Sequence, residues 1–139
     1  MSREAVLAEV RQWVGTPYHP HGRLPGVGVD CANLLCCVYE GAGVVPEVQP
    51  GFYDVGWHLH RNAEVFLDWM QRVGARQTSD PQPGDCGVWQ FGRTYSHGGI
   101  LTEPGLVAHA YLGRGVIESR LTEEPLLGRP VHWFTLWSS

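Results

Sequence analysis

At 139 residues and a formal net charge of −4, the chain has the size of one domain with a single core, and 1–139 is expected to be that domain. Its 43% hydrophobic and 17% charged residues exclude a disordered segment. The acidic balance, without a Lys/Arg cluster, excludes a nucleic-acid partner, and no membrane partner is expected because no apolar run nears the roughly 20 residues that cross a bilayer.

Residues 2–11 are amphipathic and carry acids, without the uninterrupted apolar stretch and small-residue cleavage site of a signal peptide. They predict synthesis without secretion. The spacing of Val6, Val10, Trp13 and Val14 predicts a helix over 3–14 with these four on one face. Gly15-Thr16-Pro17 stops it, and a polar Gly/Pro-rich loop is expected to run to Val29. Residues 31–40 are apolar nearly all round, as a core helix is, with Asp30 as N-cap and Gly41 and Gly43 as the stop.

Residues 46–60, around Pro46, Pro50 and Gly51, read as an irregular excursion. Helical spacing resumes over 62–73 with Val65, Phe66, Trp69 and Met70. After Gly74 the pattern becomes strand-like, with runs at 86–91, 97–102, 106–111, 115–119 and 131–136. Glu103-Pro104-Gly105 and Gly113-Arg114-Gly115 stand where hairpin turns are needed. Helices first, then an antiparallel sheet of about five strands, is the α+β pattern.

The chemistry concentrates on Cys31, His97 and His109. A thiol attacks a carbonyl as thiolate, and a helix N-terminus or a nearby imidazole lowers its pKa. Cys31 opens the 31–40 helix directly after Asp30, so its backbone N–H is aimed at a developing oxyanion. His97 and His109 fall on neighbouring strands joined by the Pro104-Gly105 turn and are expected to share a face. They read as base and orienter in a nucleophile–base–orienter triad. Gly98 and Gly99 are expected to leave space for a substrate chain beside His97. Cys36 and Cys37 read as core residues. Three of the four cysteines lie in one helical run, where mutual bridging is disfavoured, so all four are expected to be reduced.

These residues resemble the NlpC family of cell-wall cysteine peptidases, a papain-like group, and in particular its phage tail-associated branch. Gly15-Thr16-Pro17-Tyr18 resembles the family's Gly-x-Pro-Tyr element, and Gly28-Val29-Asp30-Cys31 its Asp-Cys nucleophile motif. Pro83-Gly84-Asp85 resembles the entry to its first core strand, Ser96-His97-Gly98-Gly99-Ile100 the catalytic histidine strand, and Val107-Ala108-His109-Ala110 the third polar position. Trp57-His58-Leu59-His60-Arg61 resembles a segment of the phage branch. The resemblance implies a papain-like NlpC-type fold and hydrolysis of an amide bond in the peptidoglycan stem peptide, between D-glutamate and a diamino acid. It implies Cys31 as nucleophile, His97 as base and His109 as orienter. Tyr18 would lend its hydroxyl to the oxyanion or the substrate, while Asp30 and Gly98 would bind substrate. The family often has Ser-Gly after Asp-Cys, where this chain has Ala32-Asn33, a departure that bears on recognition of the stem's N-terminal part. The phage branch implies other tail proteins as partners, with the chain in the virion tail, or in the host cytoplasm before assembly, and acting on the cell wall.

Three rivals stand beside this reading. One is an inactive or architectural tail protein that keeps the fold, which a thiol of ordinary pKa at Cys31 would favour. Another is a thiol amidase or acyltransferase on the same fold, acting on a different amide or ester. The third is a metal site using His19-Pro20-His21, His58-Leu59-His60, Cys36 and Cys37. With no Cys-x-x-Cys and no His-Glu-x-x-His, the pattern calls for no metal and no cofactor.

Overall fold

The computed structural model describes residues 2–20, 22–44, 70–92 and 94–137. Two helices precede an antiparallel sheet. Helix α1 (Arg3–Arg11) is capped by Ser2, whose Oγ accepts from the Ala5 N–H at 3.1 Å, and it buries Val6 and Val10. The chain leaves the helix at Gln12, one turn earlier than the apolar spacing predicts. Trp13 still turns into the core, but Val14 is 42% exposed, because residues 12–15 form a turn that rotates it outward.

Helix α2 (Cys31–Gly41) begins at Asp30, which has extended backbone and accepts from the Asn33 N–H at 2.9 Å. Most of its length is buried, and Leu34 and Leu35 are fully so. Truncating either to alanine costs about 2–5 kcal/mol in such a setting. Only one of the two predicted stop glycines acts as the stop. Gly43 takes φ +75°, its N–H reaches Glu40 O, and the Val44 N–H reaches Tyr39 O, satisfying the last carbonyls. Gly41 is the last helical residue, and a Cβ there would meet the Glu9 carboxylate of α1.

The expected loop before α2 contains a short hairpin of β1 (Arg23–Leu24) and β2 (Gly28–Val29), and Tyr18 bridges to Val29. The remaining strands are β3 (Arg76–Gln77), β4 (Cys86–Phe91), β5 (Thr94–Glu103), β6 (Leu106–Tyr111), β7 (Gly115–Arg120) and β8 (Val131–Thr135). They form one antiparallel sheet in the order β3-β8-β4-β5-β6-β7. Five of the six match the predicted runs closely. The sixth, β3, is two residues long and carries no periodicity to read.

Helix α2 packs on β5 and β6 and against α1. Alternation along the strands divides the sheet between two cores. Cys86, Val88, Ile100, Ala108 and Ala110 face the helices. Trp89, Leu101 and Val107 face the other way, where Leu126 from the β7–β8 connection covers them. At the entry to β4, Arg3 pairs with the buried Asp85 at 2.9 Å and the Tyr39 hydroxyl donates to Gly84 O at 2.7 Å. One loop thereby anchors both helices. Residues 70–72 are helical; the rest of the predicted 62–73 helix and the 46–60 excursion lie outside the described residues.

Candidate active site

Cys31 is the first residue of α2 and is 5% exposed. Its neighbour across the cleft is set by an irregularity in the sheet. Trp89 pairs with His97 and Gln90 with Tyr95, which leaves Ser96 as a bulged residue without a partner on β4. The freed Ser96 carbonyl receives the Cys31 Sγ at 3.7 Å. His97 follows at once, and Cys31, His97 and Tyr18 line one cleft of about 500 Å³.

Behind His97 runs a buried chain of hydrogen bonds. His97 Nε2 lies 2.8 Å from His109 Nδ1, and His109 Nε2 lies 2.9 Å from Ser119 Oγ. The two imidazoles meet nearly edge to face at 86°. If His97 Nε2–H donates, His109 accepts at Nδ1 and passes its own Nε2–H to Ser119, and His97 Nδ1 is left with a lone pair. Gly99 makes this approach possible. A Cβ there would sit 2.6 Å from Val107 Cγ1 and 3.1 Å from His109 Cβ. The space beside His97 at this glycine is therefore filled by β6 and not left for a substrate chain.

Burial dominates the electrostatics. It pushes the Cys31 thiol up to about 12, with the Asp30 carboxylate adding to the rise, while backbone N–H groups of Gly98, Ala32 and Cys31 act the other way. The sequence leads one to expect the opposite direction, since a helix N-terminus favours thiolate. Here the same backbone groups are present, and desolvation outweighs them. Burial, then the neighbouring His109 and Arg129, hold His97 down at about 3; burial and Arg114 hold His109 at about 4. Cys31 is accordingly a neutral thiol that shares its cleft with a neutral His97. Burial also raises the Tyr18 phenol above its usual value, with Cys31 and Asp30 contributing, so it remains an O–H donor.

No family model matches the chain. Over 123 residues it is 29% identical to the gamma-DL-glutamyl hydrolase of Bacillus subtilis (strain 168), a match covering 86% of this chain and 26% of that protein. The chain thus spans about a quarter of the length of that relative. Among solved structures, the NlpC/p60 domain of the peptidoglycan hydrolase SagA superposes with a TM-score of 0.61 at 23% identity, covering 95% of this chain and 97% of that one. The chain has the NlpC/P60 fold. RipD of Mycobacterium tuberculosis, a non-catalytic NlpC/p60 domain protein adapted to peptidoglycan binding, superposes with a TM-score of 0.62 at 16% identity, covering 97% of each chain.

Within the NlpC/P60 fold of this chain, Cys31, His97 and Tyr18 line one cleft, and His109 stands against His97. Asp30 and Gly98 are not among the residues that line this cleft. Asp30 is fully buried in its capping role and does not line the cleft. Gly98 is buried in β5 and offers its N–H to the Cys31 sulphur. Two residues of the site escape sequence reasoning. Ser119 is detectable only through the β6–β7 register, which pairs Val107 with Ser119 and puts the hydroxyl on the His109 face. Arg129, in the β7–β8 connection, lines the cleft from a position no local pattern marks. All four cysteines are free, and Cys36 and Cys86 are buried in the core.

Proposed function

We propose that the chain is a cysteine peptidase that hydrolyses the amide bond between D-glutamate and a diamino acid in the peptidoglycan stem peptide. One observation carries the reading: Cys31, at the N-terminus of α2, lines the same cleft as His97, and the far nitrogen of His97 is held by His109. The similarity to a protein named gamma-DL-glutamyl hydrolase supports a γ-glutamyl amide as the bond.

In this mechanism His97 Nδ1 takes the thiol proton as Sγ attacks the amide carbon. Charge then moves to the carbonyl oxygen, toward the Cys31 N–H and the positive end of α2, with the Tyr18 hydroxyl as a further donor. The protonated His97 gives its proton to the leaving nitrogen, the C–N bond breaks, and a thioester remains. Water, deprotonated by His97, attacks the thioester, releasing the acid and restoring the thiol. His109 and Ser119 keep His97 in the tautomer this cycle needs. Because the resting pair is neutral, proton transfer accompanies attack and does not precede it.

Residues 57–61 resemble the phage tail-associated branch, and on that resemblance the reading extends to action from a virion tail on the bacterial wall. Copurification with tail-tip proteins is the expected outcome. A second reading, a binding or architectural protein on this fold, is favoured by the raised Cys31 thiol and the likeness to non-catalytic RipD. Incubation with defined muropeptides, read by mass spectrometry with Cys31→Ala alongside, decides between them. Cleavage at the D-glutamyl bond that vanishes in the variant establishes the peptidase; binding without any product establishes the second reading.

A further inference from the structure

The cleft holds a charge that the proton chain does not use. Among the described residues that line it, Arg129 is the one cation. The segment carrying it is pinned by Leu126, buried against Trp89, Leu101 and Val107. Arg129 Nε–H donates to Pro125 O at 2.6 Å and Nη1 to Gln90 O at 3.4 Å, and the guanidinium carbon lies 3.8 Å from the Phe91 ring centroid. Phe91 in turn meets the His97 ring at a tilt of 36°, with 4.6 Å between centroids. The cation is thus held against Phe91, which itself contacts His97.

This fixing uses a minority of the guanidinium's five N–H donors. The ion pairs among the described residues join Arg3 to Asp85 and Arg23 to Glu40, and neither takes Arg129. A partly exposed guanidinium, pre-oriented by backbone carbonyls and an aromatic face, presents a planar fork that fits a carboxylate. Arg129 lines the same cleft as Cys31 and His97, so an anion bound there belongs to a portion of substrate that occupies this cleft with the bond being cut.

We propose that Arg129 is a specificity-determining residue that binds the free α-carboxylate of the γ-linked glutamyl unit whose side-chain carbonyl is presented to Cys31. The proposal rests on the peptidase reading above. A γ-linked glutamate keeps its α-carboxylate, whereas an α-linked one spends it in the peptide bond, and an amidated one has lost the charge. A cation fixed beside the reacting pair therefore selects the γ-linked free acid against both.

The test compares a stem tripeptide bearing D-glutamate with the same peptide bearing its α-carboxamide. Hydrolysis is followed with the Arg129 wild type, R129Q and R129K, and binding with the same three in a Cys31→Ala background. The wild type is expected to favour the free acid by roughly tenfold to a hundredfold in kcat/KM, as a charge-assisted contact would give. R129Q removes the preference for the free acid over the carboxamide; R129K, keeping the charge without the fork, lies between and carries the test if R129Q fails to fold. Equal hydrolysis of both peptides by the wild type, or an undiminished preference in R129Q, overturns the proposal while leaving the peptidase standing. No hydrolysis of either peptide, with Arg129-dependent binding of the free acid in the Cys31→Ala background, overturns the peptidase and keeps the anion site. No binding of either peptide overturns both.

Discussion

Acid should destabilise this fold through its two buried imidazoles, and the size of the effect follows from the site. Burial is the main cause that holds His97 at about 3 and His109 at about 4. In the unfolded chain both titrate near the ordinary histidine value of about 6.5. Between these limits the unfolded state binds more protons than the folded one, so stability falls as pH falls. The contribution is fully present above about 6.5 and is lost progressively toward about 3. Each group costs about 1.4 kcal/mol per pH unit in that window, so at about pH 4.5 the pair together removes roughly 5 kcal/mol. Domains of this kind hold about 5–15 kcal/mol in all, which makes the loss decisive. Urea unfolding at a series of pH values, for the wild type and for a His97→Gln, His109→Gln variant, isolates it. Carboxylates titrate in both proteins and cancel in the difference. The wild type should lose several kcal/mol more than the variant between neutral pH and about 4.5. Parallel curves would show that the imidazoles are not held neutral by the fold, and the electrostatic account of the site would fail.

Three further outcomes follow from the same geometry. Cys31, read by site-resolved mass spectrometry, should react with iodoacetamide more slowly at neutral pH than a free cysteine, its rate climbing well past pH of about 9, because burial holds the thiol up; a rate already at its plateau near neutrality would instead reveal a preformed thiolate. Ser119→Ala removes the partner of His109 Nε2 and should lower kcat roughly tenfold with KM nearly unchanged, with Ser119→Thr restoring most of it; an equal loss in both variants would point to packing alone. Gly99→Ala places a Cβ 2.6 Å from Val107 Cγ1 and 3.0 Å from the Ala108 carbonyl oxygen, which should cost about 1–3 kcal/mol in urea unfolding and displace His109 from His97; a stable variant with an unaltered pH profile would contradict the packing described.

The sequence is legible where local chemistry and structure coincide. Asp30 followed by an apolar run specifies the N-terminus of α2, because a capping carboxylate and a buried helix need nothing from elsewhere in the chain. Pro104-Gly105 and the Gly113–Gly115 turn specify the hairpins for the same reason, and with them the shared face of His97 and His109. Legibility ends where a property depends on distant segments. Val14 fits the helical period, yet the helix ends before it. Ser119 looks like any strand serine until β7 is in register with β6. Arg129 enters the cleft only because Leu126 ties its loop to the outer core. The direction of the Cys31 shift is the clearest case. The local feature that lowers a thiol pKa is present and visible, but the burial that outweighs it is made by the assembled fold.

That burial also explains why this site is built from two imidazoles and a hydroxyl. An orienting carboxylate behind His97 would stabilise the imidazolium and favour a resting ion pair. His109 backed by Ser119 is a neutral acceptor, which fixes the tautomer of His97 without adding charge to a desolvated pocket. The Cys31 sulphur correspondingly directs its proton to the Ser96 carbonyl, a contact that suits a thiol and not a thiolate. Neutral groups are the inexpensive state for side chains this deeply enclosed, and the arrangement leaves Arg129 as the fixed charge on the cleft wall among the described residues. On the peptidase reading proposed above, the electrostatic change that starts the reaction would therefore come from the substrate's own carbonyl as it develops negative charge opposite the N-terminus of α2. On this architecture, activation is a property of the bound complex, and the free thiol is expected to be quiet.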